Sequence, residues 1–577
     1  MVALHEPLDE NVRHELAEYD ELVAGLLARR GIRTREAAEA FLSPSYELQV
    51  GDPLTIRNME KAAKRIARAL QAGERISVWS DYDCDGIPGG VVLHDFLKKA
   101  GANFDNYIPH RHLEGYGVNV AGVEKLAKEG TKVLITVDSG IVDLEPIARA
   151  GKLGMDVIVT DHHIPGPVLP SAFAIVNPKQ KGETYEFQEL CGAGLAWKLV
   201  CAVLAVGRAE GARWATDIPE GWEKWLLDMA GLGTIADMVP LVGENRVIAK
   251  YGLIVMRKSP RLGLRALLKA ARVDQRGLSE EDVGFMIAPR VNAASRMGNP
   301  RDAFELFTTE DETRAEVLAK ELERVNRSRR ASAGAITKAA RERIKEREAL
   351  GTLPQVLALG DPDWRPGLLG LVANTLAEEF ERPVFLWGRE GGVSLKGSCR
   401  AGKPGVSVVA LMETAAHVFS GYGGHHASGG FTVKDEEVFS FEEKLCEAFS
   451  LLPPCIDAGS EARADAQISI EDATHALLSR VSRLAPFGMG NEKPVFALKE
   501  LHLSTVSWFG KAEEHIKLSL TSNGFDHIEG IAFYAKKELG PRVKTLTSGG
   551  MISVLASLER DQFTRGRPVR LRLLSIS

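Results

Sequence analysis

The chain has 577 residues, 45% of them hydrophobic and 26% charged, which is enough apolar material for several cores. At about 150 residues per domain, that length suggests three or four domains. Lys and Arg number 72 against 78 Asp and Glu, a formal net charge of −6, so this is no polybasic protein; nucleic acid would have to be met by a local basic groove or by metal ions that offset the carboxylates.

No run approaches the roughly 18 apolar residues needed to cross a bilayer. The opening MVALHEPLDENVRHEL carries acids and no apolar segment, so neither a membrane span nor a secretory signal is expected. Cys84, Cys191, Cys201, Cys399, Cys446 and Cys455 form no C-x-x-C pair. That argues against a disulfide framework or a Cys-rich zinc module and for buried thiols in a reducing cytoplasm.

In chain order, residues 1–50 read as short helices, such as Glu21–Arg29 and Arg35–Leu42. A helix after Asn58 stops at Gly73. Strand and helix patterns then alternate: RISVWS, VVLHDFLKKAG, FDNYIPH, AGVEKLAKEG, KVLITV, LEPIARAG, MDVIVT. Short apolar runs between helices that end in Gly indicate a parallel, doubly wound α/β sheet. Helices dominate from Gly194 to Gln275, and the charged, Pro-free stretch 311–350 reads as one long helix. Its bland reading is a solvated face; the alternative is a connector whose basic side (Arg327, Arg329, Arg330, Lys338, Arg341) lines a groove. A second α/β block starts near Thr352, a boundary falls around residue 451, and the chain turns β-like from Pro494, in a count suited to a small barrel.

The chemistry lies at strand ends. RISVWS runs into Asp81-Tyr82-Asp83-Cys84-Asp85, KVLITV into Asp138-Ser139-Gly140, and MDVIVT into Asp161-His162-His163. In an open parallel sheet the carboxyl ends of the strands share one edge, where ligands bind. Carboxylates gathered there repel one another and raise their own pKa values, and divalent cations remove that problem. Oxygen ligands with one or two imidazoles suit Mn²⁺ or Mg²⁺, and Asp-rich bridging suits two ions about 4 Å apart acting on a phosphodiester. Each piece alone is dull: a loop D-x-D, an N-cap, a half-buried His pair. Three together on successive strands are not. Asp237 in GLGTIADMVPL could complete the cluster; it follows a Trp222/Trp225/Leu226/Met229 stripe expected to be core.

The ordered set DYDCDG, TVDSGI, TDHH and GLGTIADMVPL resembles the four motifs of the DHH phosphoesterase family. Downstream, APRVNAASRMGN, DPDWRPGLLGLVANTLAEEFERPVF, LKGSCRA and GYGGHHASGGF resemble its branch of single-strand-specific DNA exonucleases, the last two matching the companion DHHA1 domain. APFGMGNEKPVF with HIKLSL and GIAFY matches that branch's C-terminal OB-like domain. The resemblance covers about residues 50–577. Behind the N-terminal helical segment read above (1–50), it implies an α/β protein: a parallel-sheet DHH catalytic domain (51–310), a connector helix (311–350), a smaller α/β DHHA1 domain (351–450) and a nucleic-acid-binding OB-like β-barrel (451–577).

It also implies roles. Asp81, Asp83, Asp138, His162 and Asp237 match metal ligands, with Asp138 the natural bridge; Asp85 matches the third acid of its motif, touching metal or orienting a neighbour. His163 is expected at the scissile phosphate or the leaving group. Candidates for holding substrate are Arg290, Arg296 and Arg400 through phosphates, Arg365 where the family pattern usually has a His, Gly424, His425 and Ser428 in a glycine-turn segment, and Tyr116 or Trp364 by base stacking. A second metal site at His425/His426 is disfavoured for want of acidic partners. The implied activity is a two-metal, Mn²⁺- or Mg²⁺-dependent 5′-to-3′ hydrolysis of single-stranded DNA to mononucleotides in repair and recombination. With it come a cytoplasmic location, a monomer, no membrane, and a single-stranded-DNA-binding protein and a helicase as partners.

The sequence departs from the family pattern at Trp79, Cys84, Pro88-Gly89, Ser295, Arg365 and Ala401, none a presumed ligand; Cys84 would make activity oxidation-sensitive. The competing readings are a phosphodiesterase for short oligonucleotides or cyclic dinucleotides, which needs no OB-like domain, and a non-catalytic scaffold, which would have lost its ligands.

Overall fold

The structure, a computed structural model, describes all residues except 1–5, 112, 352, 390–391, 393, 404, 454–462, 511–512, 523–526, 536–538, 540–542, 544–545 and 562–568. Cys455 and part of the boundary around 451 lie outside the described residues. The chain divides into two compact units, one comprising 1–295, 299–321 and 461–577, the other 296–298 and 322–460.

The first unit is built on five parallel strands, β1 (Ile76–Ser80), β2 (Phe104–Tyr107), β3 (Val133–Val137), β4 (Asp156–Thr160) and β5 (Ala174–Val176), in the order β2-β1-β3-β4-β5. β1 and β3 are buried along their whole length because helices cover both faces. Val120–Lys128 and Leu144–Lys152 pack on one face around Trp79, Leu134 and Ile147. Trp79 is committed entirely to this core: it stacks on Tyr107 at 4.2 Å and presses on Gly122, where a Cβ would lie 2.3 Å from the indole. The other face carries Gly86–Lys99 and Gly192–Ala209.

Two expectations need correction here. The helix Gly192–Ala209 does reach spanning length and a mean hydropathy of 1.4, but 78% of it is buried inside the protein, where an all-round apolar helix belongs. The Trp/Met stripe is only partly core: Leu226 and Met229 are buried, whereas Trp225 is 52% exposed, and Trp222 and Trp225 line a surface cavity of about 640 Å³ with Lys98 and Phe307.

The same unit contains a closed barrel. β12 (Phe496–Phe509), β13 (His515–Thr521), β14 (His527–Ala532), β16 (Val569–Ile576) and β15 (Met551–Arg560) pair in that order, β15 returns to β12, and β11 (Ala466–Gln467) adds in parallel to β12. The helices Glu10–Glu15, Glu21–Arg29 and Arg35–Leu42 share the barrel's core: Leu16, Leu26 and Leu27 are buried in one cluster with Phe496, Leu498 and Leu518. The N-terminal segment is thus packed with the C-terminal domain.

The long helix runs Glu312–Leu350, its first turns in one unit and the remainder in the other. Its basic side chains are largely paired, Arg341 with Glu379, Arg327 with Glu323 and Lys338 with Glu342, which favours the solvated-face reading. The second unit carries the mixed sheet β6 (Leu357–Asp361), β7 (Val384–Gly388), β8 (Leu395–Arg400), β10 (Ser428–Val433) and β9 (Phe419–His425), with only β6 and β7 parallel. GYGGHHASGGF is therefore mostly strand: β9 and β10 form a hairpin through its glycines, and only Gly424 (φ +152°) departs toward positive φ. Five of the six cysteines are free, with Cys84, Cys191 and Cys399 buried.

Candidate metal centre

The parallel ladder continues one residue past β1, β3 and β4, and that residue is an aspartate. Asp81 N donates to the Val137 carbonyl (3.1 Å), Asp138 N to Thr160 (3.0 Å) and Asp161 N to Val176 (3.2 Å). Three carboxylates are thereby fixed in one row at the carboxyl edge of the sheet. Asp138 holds its place at φ +59°, a left-handed backbone that costs a non-glycine residue about 1 kcal/mol or more. Gly192 makes room for it, since a Cβ there would lie 2.5 Å from Asp138 Cβ. Gly86 likewise lets the next helix start against the Asp81 backbone, 2.6 Å from where its own Cβ would be.

Asp83 and Asp85 are aimed by backbone amides. Asp83 Oδ1 accepts from Asp85 N (2.8 Å) and Gly86 N (3.1 Å) at the start of Gly86–Lys99. Asp85 accepts from Gly192 N (2.6 Å) and Ala193 N (2.8 Å), a carboxylate on the positive end of Gly192–Ala209. Asp237 is the C-cap of Leu227–Ala236. His162 Nε2 points into the group, 3.1 Å from Asp138 Oδ1 and 3.7 Å from both Asp85 Oδ2 and Asp237 Oδ2.

Three triads have their ligand atoms within 4.8 Å of one another: Asp81, Asp83 and Asp138; Asp85, His162 and Asp237; Asp138, His162 and His163. Asp138 and His162 each belong to two of them, which is the arrangement a pair of cations sharing ligands requires. Asp81 Oδ1 and Asp138 Oδ1 are buried with no hydrogen-bond donor among the described residues; the 3.1 Å approach of His162 Nε2 to the latter lacks hydrogen-bond geometry. Two lone pairs buried without donors are costly unless a cation takes them. The donor set, mostly carboxylate oxygen with imidazole and no thiolate, fits Mn²⁺ or Mg²⁺.

Electrostatics say the same. Burial, then the neighbouring carboxylates, push Asp81 and Asp138 well above the usual range, Asp85 to about 6 and Asp237 to about 8. Burial also opposes charging His163, but its hydrogen bond to Asp161 and the surrounding acids outweigh that and raise it to about 9. Asp161, though buried, is held below the ordinary value by the same bond. Cys84 is buried with its thiol pushed up by burial and by the acids around it, the environment of an inert thiol; oxidation sensitivity finds no support there.

Asp161 was not among the residues expected to act. Its Oδ1 meets His163 Nδ1 at 2.8 Å and its Oδ2 accepts from Ile141 N at 3.0 Å, so it orients the ring from beneath. Its place as first letter of DHH was the available signal. Asn292 was also passed over: its side chain accepts from Cys84 N (2.9 Å) and ties the first motif to the helix of Arg290. So was Arg111, whose guanidinium lies over the Tyr82 ring at 5.0 Å.

Of the substrate-holding candidates, Tyr116 stands at the centre, its hydroxyl 3.3 Å from the Asp138 carbonyl and 3.4 Å from His163 Nδ1, its side chain 49% exposed. Arg290 is buried and donates to the Met286 carbonyl. The rest belong to the second unit. There Arg296 donates to the Gly367 carbonyl (2.9 Å), and Arg365 reaches Met297 Sδ (3.4 Å). Trp364 is buried with Arg343 stacked on it. Arg400, Ser428 and His425 are directly opposite one another on β8, β10 and β9, so their side chains share one face of the sheet, and Gly424 adjoins them.

Comparison with known proteins places the chain among families. The chain matches the DHH family N-terminal domain over 75–234, the DHHA1 domain over 353–451 and the RecJ OB domain over 464–575. It is 34% identical over 554 residues to the single-stranded-DNA-specific exonuclease RecJ of Bacillus subtilis, covering 96% of this chain and 67% of that protein. Against RecJ of Escherichia coli it is 30% identical, covering 91% of each. The crystal structure of Thermus thermophilus RecJ in complex with Mn²⁺ superposes with a TM-score of 0.81 at 26% identity, over 100% of this chain and 78% of that one; a Mg²⁺ complex of the same protein gives 0.75 at 25%, over 100% and 77%. Fold and site together define a DHH/DHHA1 phosphoesterase carrying an OB domain. The chain belongs to the RecJ family of single-stranded-DNA-specific exonucleases.

Proposed function

We propose that two divalent ions, Mn²⁺ or Mg²⁺, are held by Asp81, Asp83, Asp138, His162 and Asp237, and that this centre removes 5′-mononucleotides from single-stranded DNA in repair and recombination. The observation that carries the reading is Asp138, a member of two clusters of ligand groups, with its Oδ1 buried and without a hydrogen-bond donor among the described residues. When bound, the ions supply an activated water and screen the charge that builds at phosphorus. Asp85, committed to two helix amides, orients the cluster. His163, held cationic by Asp161 at Nδ1, donates the proton of its other nitrogen, Nε2, to the departing oxygen, and the Tyr116 hydroxyl meets the same Nδ1. Arg400, Ser428 and His425 form a row suited to backbone phosphates, and the barrel follows the strand. A dinucleotide needs neither that row nor the barrel. Because the substrate must first be unpaired, a helicase and a single-stranded-DNA-binding protein are the partners this activity calls for, in the cytoplasm.

The test is digestion of single-stranded DNA labelled at either end, with and without Mn²⁺, beside a blunt duplex and a cyclic dinucleotide. Mononucleotide release from the 5′ end that needs Mn²⁺ and spares the duplex is expected; release from the 3′ end, or preferred cleavage of the cyclic dinucleotide, refutes the assignment.

Asp161→Asn tests the proton donor. Cations cancel the acids' share of the His163 elevation but leave the Asp161 pair in place, so its loss sends His163 from its raised value down toward the ordinary imidazole value of about 6.5. The alkaline limb of kcat moves down in pH, and activity at pH 8 drops on the order of tenfold while pH 6 is little changed. A uniform loss at every pH would make Asp161 merely structural.

A further inference from the structure

The motif APFGMGN matches the barrel domain in sequence yet lies outside every barrel strand, in the link between the helix His475–Ser482 and β12. Gly488 and Asn491 exchange backbone hydrogen bonds (3.0 and 3.1 Å), closing a tight hairpin with Gly490 at φ +68°. The tip does not face the barrel. Its Met489 carbonyl accepts from Leu241 N at 2.7 Å, and Gly488 lies so close to the buried Leu241 that a Cβ would be 2.8 Å from Leu241 Cδ1.

The hairpin is braced from behind. The buried Asn491 amide donates to the Leu484 and Pro486 carbonyls (2.9 and 2.7 Å), and the buried guanidinium of Arg246 donates to those of Leu484 and Ala485 (2.9 and 3.0 Å).

Only Met238, Val239 and Pro240 separate Leu241 from Asp237, and this link is stiff. Met238 is held at φ +61°, Pro240 has its φ locked by its ring, and the Pro240 carbonyl accepts from Asn245 Nδ2 at 3.1 Å. Asp83 and Asp85 are aimed by amides on their carboxylates, whereas Asp237 is located through its backbone, as a helix C-cap followed by this link. We propose that the hairpin 488–491 is a positioning element for Asp237: it presses on Leu241 and so sets the one carboxylate of the cluster supplied from outside the sheet edge and its first helix. The proposal rests on Asp237 being a cation ligand, as read above.

Mn²⁺ titration of the full chain, with free Mn²⁺ followed by electron paramagnetic resonance, tests it on wild type, Asp237→Ala, Gly488→Val and Gly488→Val/Leu241→Ala. Gly488→Val is expected to weaken one Mn²⁺ site about tenfold, the usual cost of losing support behind a metal ligand, and to leave the other unchanged. Its kcat on single-stranded DNA drops with KM unaltered, and the second substitution, which relieves the clash, restores both readings. Asn491→Ala loosens the hairpin without adding bulk and is expected to shift the same site, which keeps the test open should Gly488→Val not fold.

Wild-type titration in Gly488→Val and Asn491→Ala, with Asp237→Ala altered, overturns the proposal alone. A raised KM with unaltered kcat and titration makes the hairpin part of the strand track and also overturns it. Wild-type titration in Asp237→Ala overturns the ligand assignment, and the proposal with it.

Discussion

Asp138→Ala protein is expected to lose single-stranded-DNA hydrolysis by at least three orders of magnitude, roughly 4 kcal/mol of barrier, because the one carboxylate common to two clusters of ligand groups goes with it. Strand binding should survive within a factor of a few, since the barrel and the Arg400 row are untouched. Gel-shift titration in Ca²⁺ beside a timed digest in Mn²⁺ separates the two. The substitution keeps the φ +59° backbone and the Cβ against Gly192 but removes a buried carboxylate crowded by its acidic neighbours, so the metal-free variant should unfold no lower than wild type. Retained hydrolysis, or binding lost in step with activity, would contradict the division between a cutting centre and a holding surface.

Stripping metal is expected to make stability fall as pH rises, the reverse of the usual behaviour of paired carboxylates. Asp237 at about 8 and Asp85 at about 6 are raised above their unfolded values, so the folded chain binds protons there that the unfolded chain has released. The cost of crowding is absent below about pH 4, accumulates as pH rises from there, and is complete for each group once its folded pKa is passed. His163 adds to the same trend: its elevation to about 9 contributes stability that is complete below about pH 6.5 and lost as pH climbs through 9. Asp161, depressed by its His163 bond, contributes in the opposite sense, but that contribution is already complete above its ordinary value and leaves the window alone.

Mn²⁺ replaces the protons and should therefore stabilise more at pH 8.5 than at pH 5.5; one site with the free ion at a hundredfold its dissociation constant contributes about 2.7 kcal/mol. Thermal melts in chelator and in Mn²⁺ across pH 5 to 9 measure this. Flat melting temperatures in chelator, or an ion-induced shift independent of pH, would mean the carboxylates do not crowd as the structure has them.

How far the centre was legible before folding differs residue by residue. Asp81, Asp138 and Asp161-His162-His163 could be placed together because a strand's end is a local property and parallel strands must end on a common edge. Asp237 was weaker, since its helix comes from elsewhere in the chain and nothing nearby in sequence says which edge it meets. The roles of Asp85 and Asp161 were not legible, because a carboxylate that binds metal and one that binds helix amides or an imidazole look the same as letters. β9 and β10 were hidden by their own glycines, which weaken any strand signal and read as turns.

The linear order of residues determined the alternating strands and helices, the acid at each strand end, the long charged helix, the late β-rich segment and the chemistry the donor set can support. Those follow from periodicity and side-chain type over a few neighbouring positions. Only tertiary structure decided that the first helices would fill the barrel's core, that Trp225 would be half exposed at a cavity, and that a hairpin near residue 490 would press on Leu241. Such meetings depend on which distant surfaces are complementary enough to offset the entropy of closing long loops, and no short stretch of chain carries that information.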